Sequence, residues 1–188
     1  EEIIGIRRRK EIKKIVRTTC HGPVLSDFGK RSDSSQVLSL RWTAREASQE
    51  FRCLLGVNQA RDWHGFLDSL AYQSAPVLNY VYADREGNIG YSLAGKIPLR
   101  RRVPSLLPLD GWVEDNDWPG YIPFSELPRI YNPPEGAIAT ANNRIVDASY
   151  PHYLSQFFEP PSRIRRIKEL LTLKKCFSIN DMAAMQND

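Results

Sequence analysis

"VLNYVYADREGNIGYSLAGKIP", Val77 to Pro98, organises the reading of the whole chain. It reads as two strands around a turn at Asp84 to Asn88, with Gly87 supplying the permissive backbone that the turn needs. A hairpin is therefore expected over 78–98. On its N-terminal side, "REASQEFRCLL" and "ARDWHGFLDSLAYQ" carry apolar residues at helical spacing. Trp63, Phe66, Leu67 and Leu70 make a one-sided stripe, so helices are expected over 45–73. Before them, residues 1–43 hold β-branched residues in short alternating runs punctuated by Gly22-Pro23. Strands are expected there, including Val37 to Thr43, with a polar loop over Asp27 to Gln36.

After the hairpin, Pro104, Pro108, Pro119, Pro123 and Pro128 alternate with Trp112 and Trp118, which marks an ordered, proline-rich connection over 100–134. "AIATAN" then reads as a strand over 137–142. "SRIRRIKELLTL" reads as a helix capped by Ser162, with Ile164, Ile167, Leu170 and Leu171 on one face. A short helix follows in "INDMAAMQND", so helices are expected over 162–187, with the chain stopping mid-helix. The order β, α, β, α predicts an α+β fold.

The composition is that of an ordinary globular domain: 188 residues, 41% hydrophobic, 26% charged, net charge +4. No run approaches the ~20 apolar residues needed to span a bilayer. The opening "EEIIGIRRRK" reads as the interior of a longer product. The basic runs Arg7–Lys10, Arg100–Arg102 and Arg163/Arg165/Arg166 are interspersed with 22 acidic residues and read as solvated faces rather than a nucleic-acid surface. Cys20, Cys53 and Cys176 form no CxxC pair and read as small buried apolar residues. Cys20 and His21 are neighbours, but neighbours on a strand point to opposite faces, so no Cys-His couple is expected. His21, His64 and His152 lack ligand spacing. The competing class is a non-enzymatic basic α+β module that binds a partner protein or nucleic acid.

"GAIATANNRIV", Gly136 to Val146, raises the sharpest question: why an apolar run should end on paired carboxamides, Asn142 and Asn143. One reading is a polar strand end, since Asn bonds nearby backbone and tolerates left-handed geometry. The other is a fixed hydrogen-bond donor. An amide suits an oxyanion site because it donates without titrating.

Several stretches, in order, carry a resemblance: "CHGP", "LSLRWTA", "NQARDWHGF", "NYVYADREGNIGYSLAGKIPLR", "LPLDGW", "WPGYIPFSELPRIYNPPEGAIATANN" and "SRIRRIKELL". Together they resemble the β-chain of the penicillin acylase family of N-terminal nucleophile hydrolases, over nearly all of 1–188. The resemblance implies a part of a four-layer α-β-β-α sandwich, made as a self-cleaving precursor. In that family a β-chain N-terminal Ser attacks the amide of N-acyl substrates, β-lactam antibiotics or acyl-homoserine lactones, with its own α-amino group as base.

That Ser lies upstream of the stretch matching Glu1, so this chain alone is expected to be inactive. The N-terminal part of the β-chain, the second oxyanion donor and the α-chain are its expected missing partners, and a fragment so exposed is expected to self-associate. Neither nucleic acid nor membrane is an expected partner.

The resemblance assigns Asn142 as the oxyanion donor and Arg163 as the residue that orients it, with Asn143 structural. An Arg suits the second role, being always charged and planar. It sits where a helix dipole disfavours a cation, a local conflict that hints at function. Leu78 stands where the family lines its acyl pocket, and reads equally as an ordinary core leucine. The mechanism calls for no cofactor. Some members hold a structural Ca²⁺ through an Asp shortly past the Asn pair, but "YPHYLSQ" has no carboxylate there, so no metal ligands are expected in this chain. The family further implies a periplasmic or extracellular location. The coding sequence upstream of Glu1 separates the two classes, since only the acylase reading requires a Gly-Ser-type processing junction there.

Overall fold

The computed structural model describes residues 1–28, 36–102 and 106–188, which fall into two compact units. Most of the expected 27–36 loop, residues 29–35, and Pro104 lie outside the described residues.

One unit comprises Glu1–Ala47 and Arg100–Pro119. It holds two small antiparallel pairs: β1 (Glu2–Ile4) with β2 (Ile12–Lys14), and β3 (Thr18–Thr19) with β4 (Gly22–Pro23). Gly22 is obligatory. Its φ is +141°, and a Cβ there would stand 2.0 Å from the Leu40 carbonyl oxygen. The strand expected over Val37–Thr43 reduces to a single bridge, Ser39 to Val24, followed by a turn of 3₁₀ helix at Thr43–Arg45. Leu40 N–H donates to Pro23 O at 2.9 Å, but Pro23 has no N–H to return and the ladder stops. Two arginines of the basic run 100–102 meet countercharges locally: Arg101 pairs with Glu114 at 3.0 Å and Arg102 with Asp115 at 2.7 Å.

The other unit, Ser48–Leu99 with Gly120–Asp188, carries the larger core. The expected helical stretch is two helices, α1 (Glu50–Gln59) and α2 (Trp63–Leu70), and Asp62 caps α2 by accepting from Gly65 N–H at 2.8 Å. The hairpin forms as expected: β5 (Leu78–Ala83) and β6 (Ile89–Ala94) pair antiparallel from Leu78↔Ala94 to Ala83↔Ile89. Asp84 ties the turn together, its carboxylate accepting from the N–H groups of Glu86 and Asn88, from Asn88 Nδ2 and from the Tyr82 hydroxyl. These bonds, that from the Asn88 side chain foremost, hold the Asp84 pKa below its ordinary value.

A third strand, β7 (Arg129–Tyr131), adds to the far edge of β6 from within the proline-rich connection. Three residues are too few to show alternation, so the sequence carries no signal for it.

β6 is the buried centre of this sheet and serves two clusters. Tyr91 and Leu93 pack with Ile97, Ile122 and Leu127. Ala94 packs with Cys53, Phe66 and Leu70 from α1 and α2. Gly90 lets the Trp63 ring lie on the strand, since a Cβ there would meet the ring at 2.4 Å. Trp63 in turn stacks on Phe66 and Tyr131, at centroid distances of 5.6 and 5.2 Å.

α3 (Ser162–Thr172) and α4 (Ile179–Gln186) close the chain. Ile164 is buried, and Ile167, Leu170 and Leu171 are half-buried behind it, as the stripe predicts. The capping signal lies elsewhere than expected. Ser162 is the first helical residue, behind Pro161, and caps nothing. Ser178 caps α4 in a reciprocal box with Asp181. α4 ends at Gln186, and Asp188 beyond it bonds Arg166 at 2.7 Å, so the chain does not stop mid-helix.

Candidate active site

The segment expected as strand 137–142 is not a strand. No described strand lies beside it to complete a ladder, and strand backbone is stable only when paired. Asn142 instead sits in a bend with φ +59°, in the left-handed region where Asn is tolerated. No strand ends at the Asn pair, so the polar strand-end reading holds only in that Asn142 takes the left-handed backbone that Asn tolerates.

Asn142 is exposed and held from two sides. Its carbonyl oxygen accepts from Glu159 N–H at 2.9 Å, just ahead of α3. Its side-chain Oδ1 accepts from Arg163 Nη1 at 3.2 Å, in the first turn of α3. A guanidinium only donates, so it can face only the oxygen of the carboxamide. The Nδ2 end is therefore turned away from Arg163, and among the described residues it has no acceptor. Asn143 faces its own chain: Oδ1 accepts from Ala141 N–H at 3.0 Å and Nδ2 donates to Arg144 O at 2.9 Å.

Beyond the bend the chain is pinned again. The Tyr150 hydroxyl donates to Glu126 O at 3.0 Å, and His152 Nε2 lies 2.5 Å from the Glu126 carboxylate. Asp147 accepts from the Ser149 hydroxyl and backbone, which lowers its pKa. The two Glu126 partners were not legible in sequence, since those bonds join residues more than 20 positions apart with no shared pattern.

A cavity of about 510 Å³ adjoins the bend, walled by Tyr91, Ile130, Ile138, Thr140, Asn143 and Leu171 among others. Burial pushes the Tyr91 phenol pKa up, and its hydroxyl donates to Asn79. Leu78 does not line this cavity. It opens β5 and is 42% exposed.

Two expectations about cysteine fail. Only Cys53 is buried, while Cys20 and Cys176 are exposed. Cys20 and His21 do meet, because Cys20 lies in the turn between β3 and β4 and not on a strand. The sulfur is 3.6 Å from Nδ1 and 3.9 Å from Nε2, near-equal distances that leave it in line with neither ring nitrogen's lone pair. Nε2 faces Asp117 at 2.9 Å. That geometry does not build a nucleophile and its base. Among the described residues no three His, Cys, Asp or Glu side chains converge as a metal site.

The penicillin amidase family model matches residues 1–188. The chain belongs to the penicillin amidase family.

The chain is 33% identical over 185 residues to penicillin acylase 2 proenzyme of Pseudomonas sp. (strain SE83), covering 98% of this chain and 24% of that protein. It is 31% identical to the acyl-homoserine lactone acylase QuiP of Pseudomonas aeruginosa, covering 100% of this chain and 23% of that one. Thermostable penicillin G acylase from Alcaligenes faecalis matches in structure with a TM-score of 0.75 at 26% identity, over 99% of this chain and 33% of that one. The α+β penicillin amidase fold expected from the sequence is therefore the fold of this chain. It spans about a quarter of the length of these curated relatives.

Proposed function

We propose that the full-length protein is an amidohydrolase that cleaves the amide of N-acyl substrates through an N-terminal Ser nucleophile. Its substrates are β-lactam or acyl-homoserine lactone amides, the two classes that the names of its relatives carry. This chain supplies Asn142, whose Nδ2 donates to the oxyanion of the tetrahedral intermediate, and Arg163, which orients it. The nucleophile, the second oxyanion donor and the α-chain lie outside it. Leu78 belongs to the acyl pocket in this reading, and the protein works in the periplasm or outside the cell.

One observation carries the proposal: Arg163 claims the Asn142 oxygen and leaves the Nδ2 hydrogens pointing away, without an acceptor among the described residues. Amide cleavage develops negative charge on the carbonyl oxygen, and a fixed donor aimed at it accelerates that step. Binding of the neutral substrate gains less, because the charge exists mainly in the transition state.

The test is substitution of Asn142 in mature full-length protein whose nucleophile is already exposed. Asn142→Gly is the informative variant, because glycine keeps the left-handed backbone and removes only the amide. It lowers kcat by about 10²–10³, roughly 2.7–4 kcal/mol, with KM little changed. Wild-type kcat in that variant would remove the oxyanion role.

A further inference from the structure

The aim of the Asn142 amide needs more than Arg163. Their bond is 3.2 Å long and joins exposed groups, whereas strong charge-assisted bonds run at about 2.7–2.9 Å. So weak a contact does not by itself hold a carboxamide to the ~0.5 Å that catalytic donors require. The direction of the side chain is set mainly by the backbone that carries it, and that backbone is left-handed at Asn142.

The Asn143 side chain brackets that backbone. Its Oδ1 takes the N–H of Ala141, the residue before Asn142, and its Nδ2 gives to the carbonyl of Arg144, two residues beyond. Asn143 is half-buried and Ala141 is 4% exposed, so the bond from Ala141 N–H is partly shielded from water, while the bond to Arg144 O lies at the surface. The task needs one donor and one acceptor on a short side chain. Asp lacks the donor, and Ala lacks both.

We propose that Asn143 is a positioning residue for catalysis: its carboxamide locks the 141–144 bend in the form that aims the Asn142 amide at the oxyanion. The inference rests on the reading of Asn142 given above. It replaces the expectation that Asn143 merely ends a strand.

The experiment is a double-mutant cycle in mature full-length protein, with an N-acyl amide substrate and the thermal midpoint of each variant. Asn143→Ala lowers kcat by about 10–10² with KM within about twofold, as a misaimed donor does. Asn143→Asp, which keeps the size and the acceptor, falls between Ala and wild type and carries the test should the Ala variant not fold. On the Asn142→Gly background, Asn143→Ala has no further effect on kcat, because nothing remains to be aimed. Wild-type kcat in both Asn143 variants would overturn the proposal, and so would an equal loss on the Asn142→Gly background. If Asn142→Gly alone leaves kcat unchanged, the oxyanion reading fails and this proposal with it; if only the Asn143 variants are silent, the oxyanion reading stands.

Discussion

Arg163 reaches back over 21 residues of sequence to donate one guanidinium N–H to Oδ1 of Asn142. Loss of a hydrogen bond to a charged group costs about 1.5 kcal/mol at the low end, which suits a contact of this length and exposure. Arg163→Ala is therefore expected to lower kcat by about 10-fold in the mature full-length protein. Arg163→Lys keeps the charge but not the planar fork and should lose less. Combined with Asn142→Gly, the Arg163→Ala change should add nothing; additive losses in steady-state kinetics would show that Arg163 acts elsewhere.

Glu50 makes a pH prediction. Its carboxylate accepts from the Ser48 hydroxyl and from the N–H groups of Ser74 and Ala75, tying the start of α1 to the loop that enters β5. These bonds, Ser48 first and Ala75 next, pull its pKa from 4.5 down to about 2. The folded value is the lower one, so its contribution is fully present above the unfolded value and fades as pH falls from about 4.5 towards 2. Glu50→Gln should lower the thermal midpoint at neutral pH and flatten the acid limb between those values. Parallel acid limbs for variant and wild type would dismiss the clamp.

The isolated chain is expected to hydrolyse none of phenylacetyl, glutaryl or acyl-homoserine lactone amides, because the proposed mechanism draws its nucleophile from outside this chain. It is also expected to self-associate. Phe51, Trp112 and Ile179 are 76%, 83% and 88% exposed, among many other large apolar residues that a solvated surface does not favour. Reproducible turnover by purified chain would place a nucleophile within it, and light scattering from a monomer across a wide concentration range would count against association.

Local pattern was enough for the α2 stripe, the 78–98 hairpin with Gly87 in its turn, and the inward face of α3, because each arises between residues a few positions apart. The same locality misled at Val37–Thr43 and at 137–142. Alternation licenses a strand but cannot supply the neighbour that pairs with it, and Pro23 denies one of them a second bond. β7 escaped notice because three residues carry no period.

At the candidate site the sequence by itself determined the residue types, the family pattern and the suitability of Asn for a left-handed bend. Tertiary structure alone decided that Arg163 faces the oxygen of Asn142 and that the neighbouring carboxamide of Asn143 braces the turn. The physical reason is range. Backbone preference and periodicity act over one or two turns of chain, whereas the direction of an amide depends on which donor the fold brings up from 21 residues away.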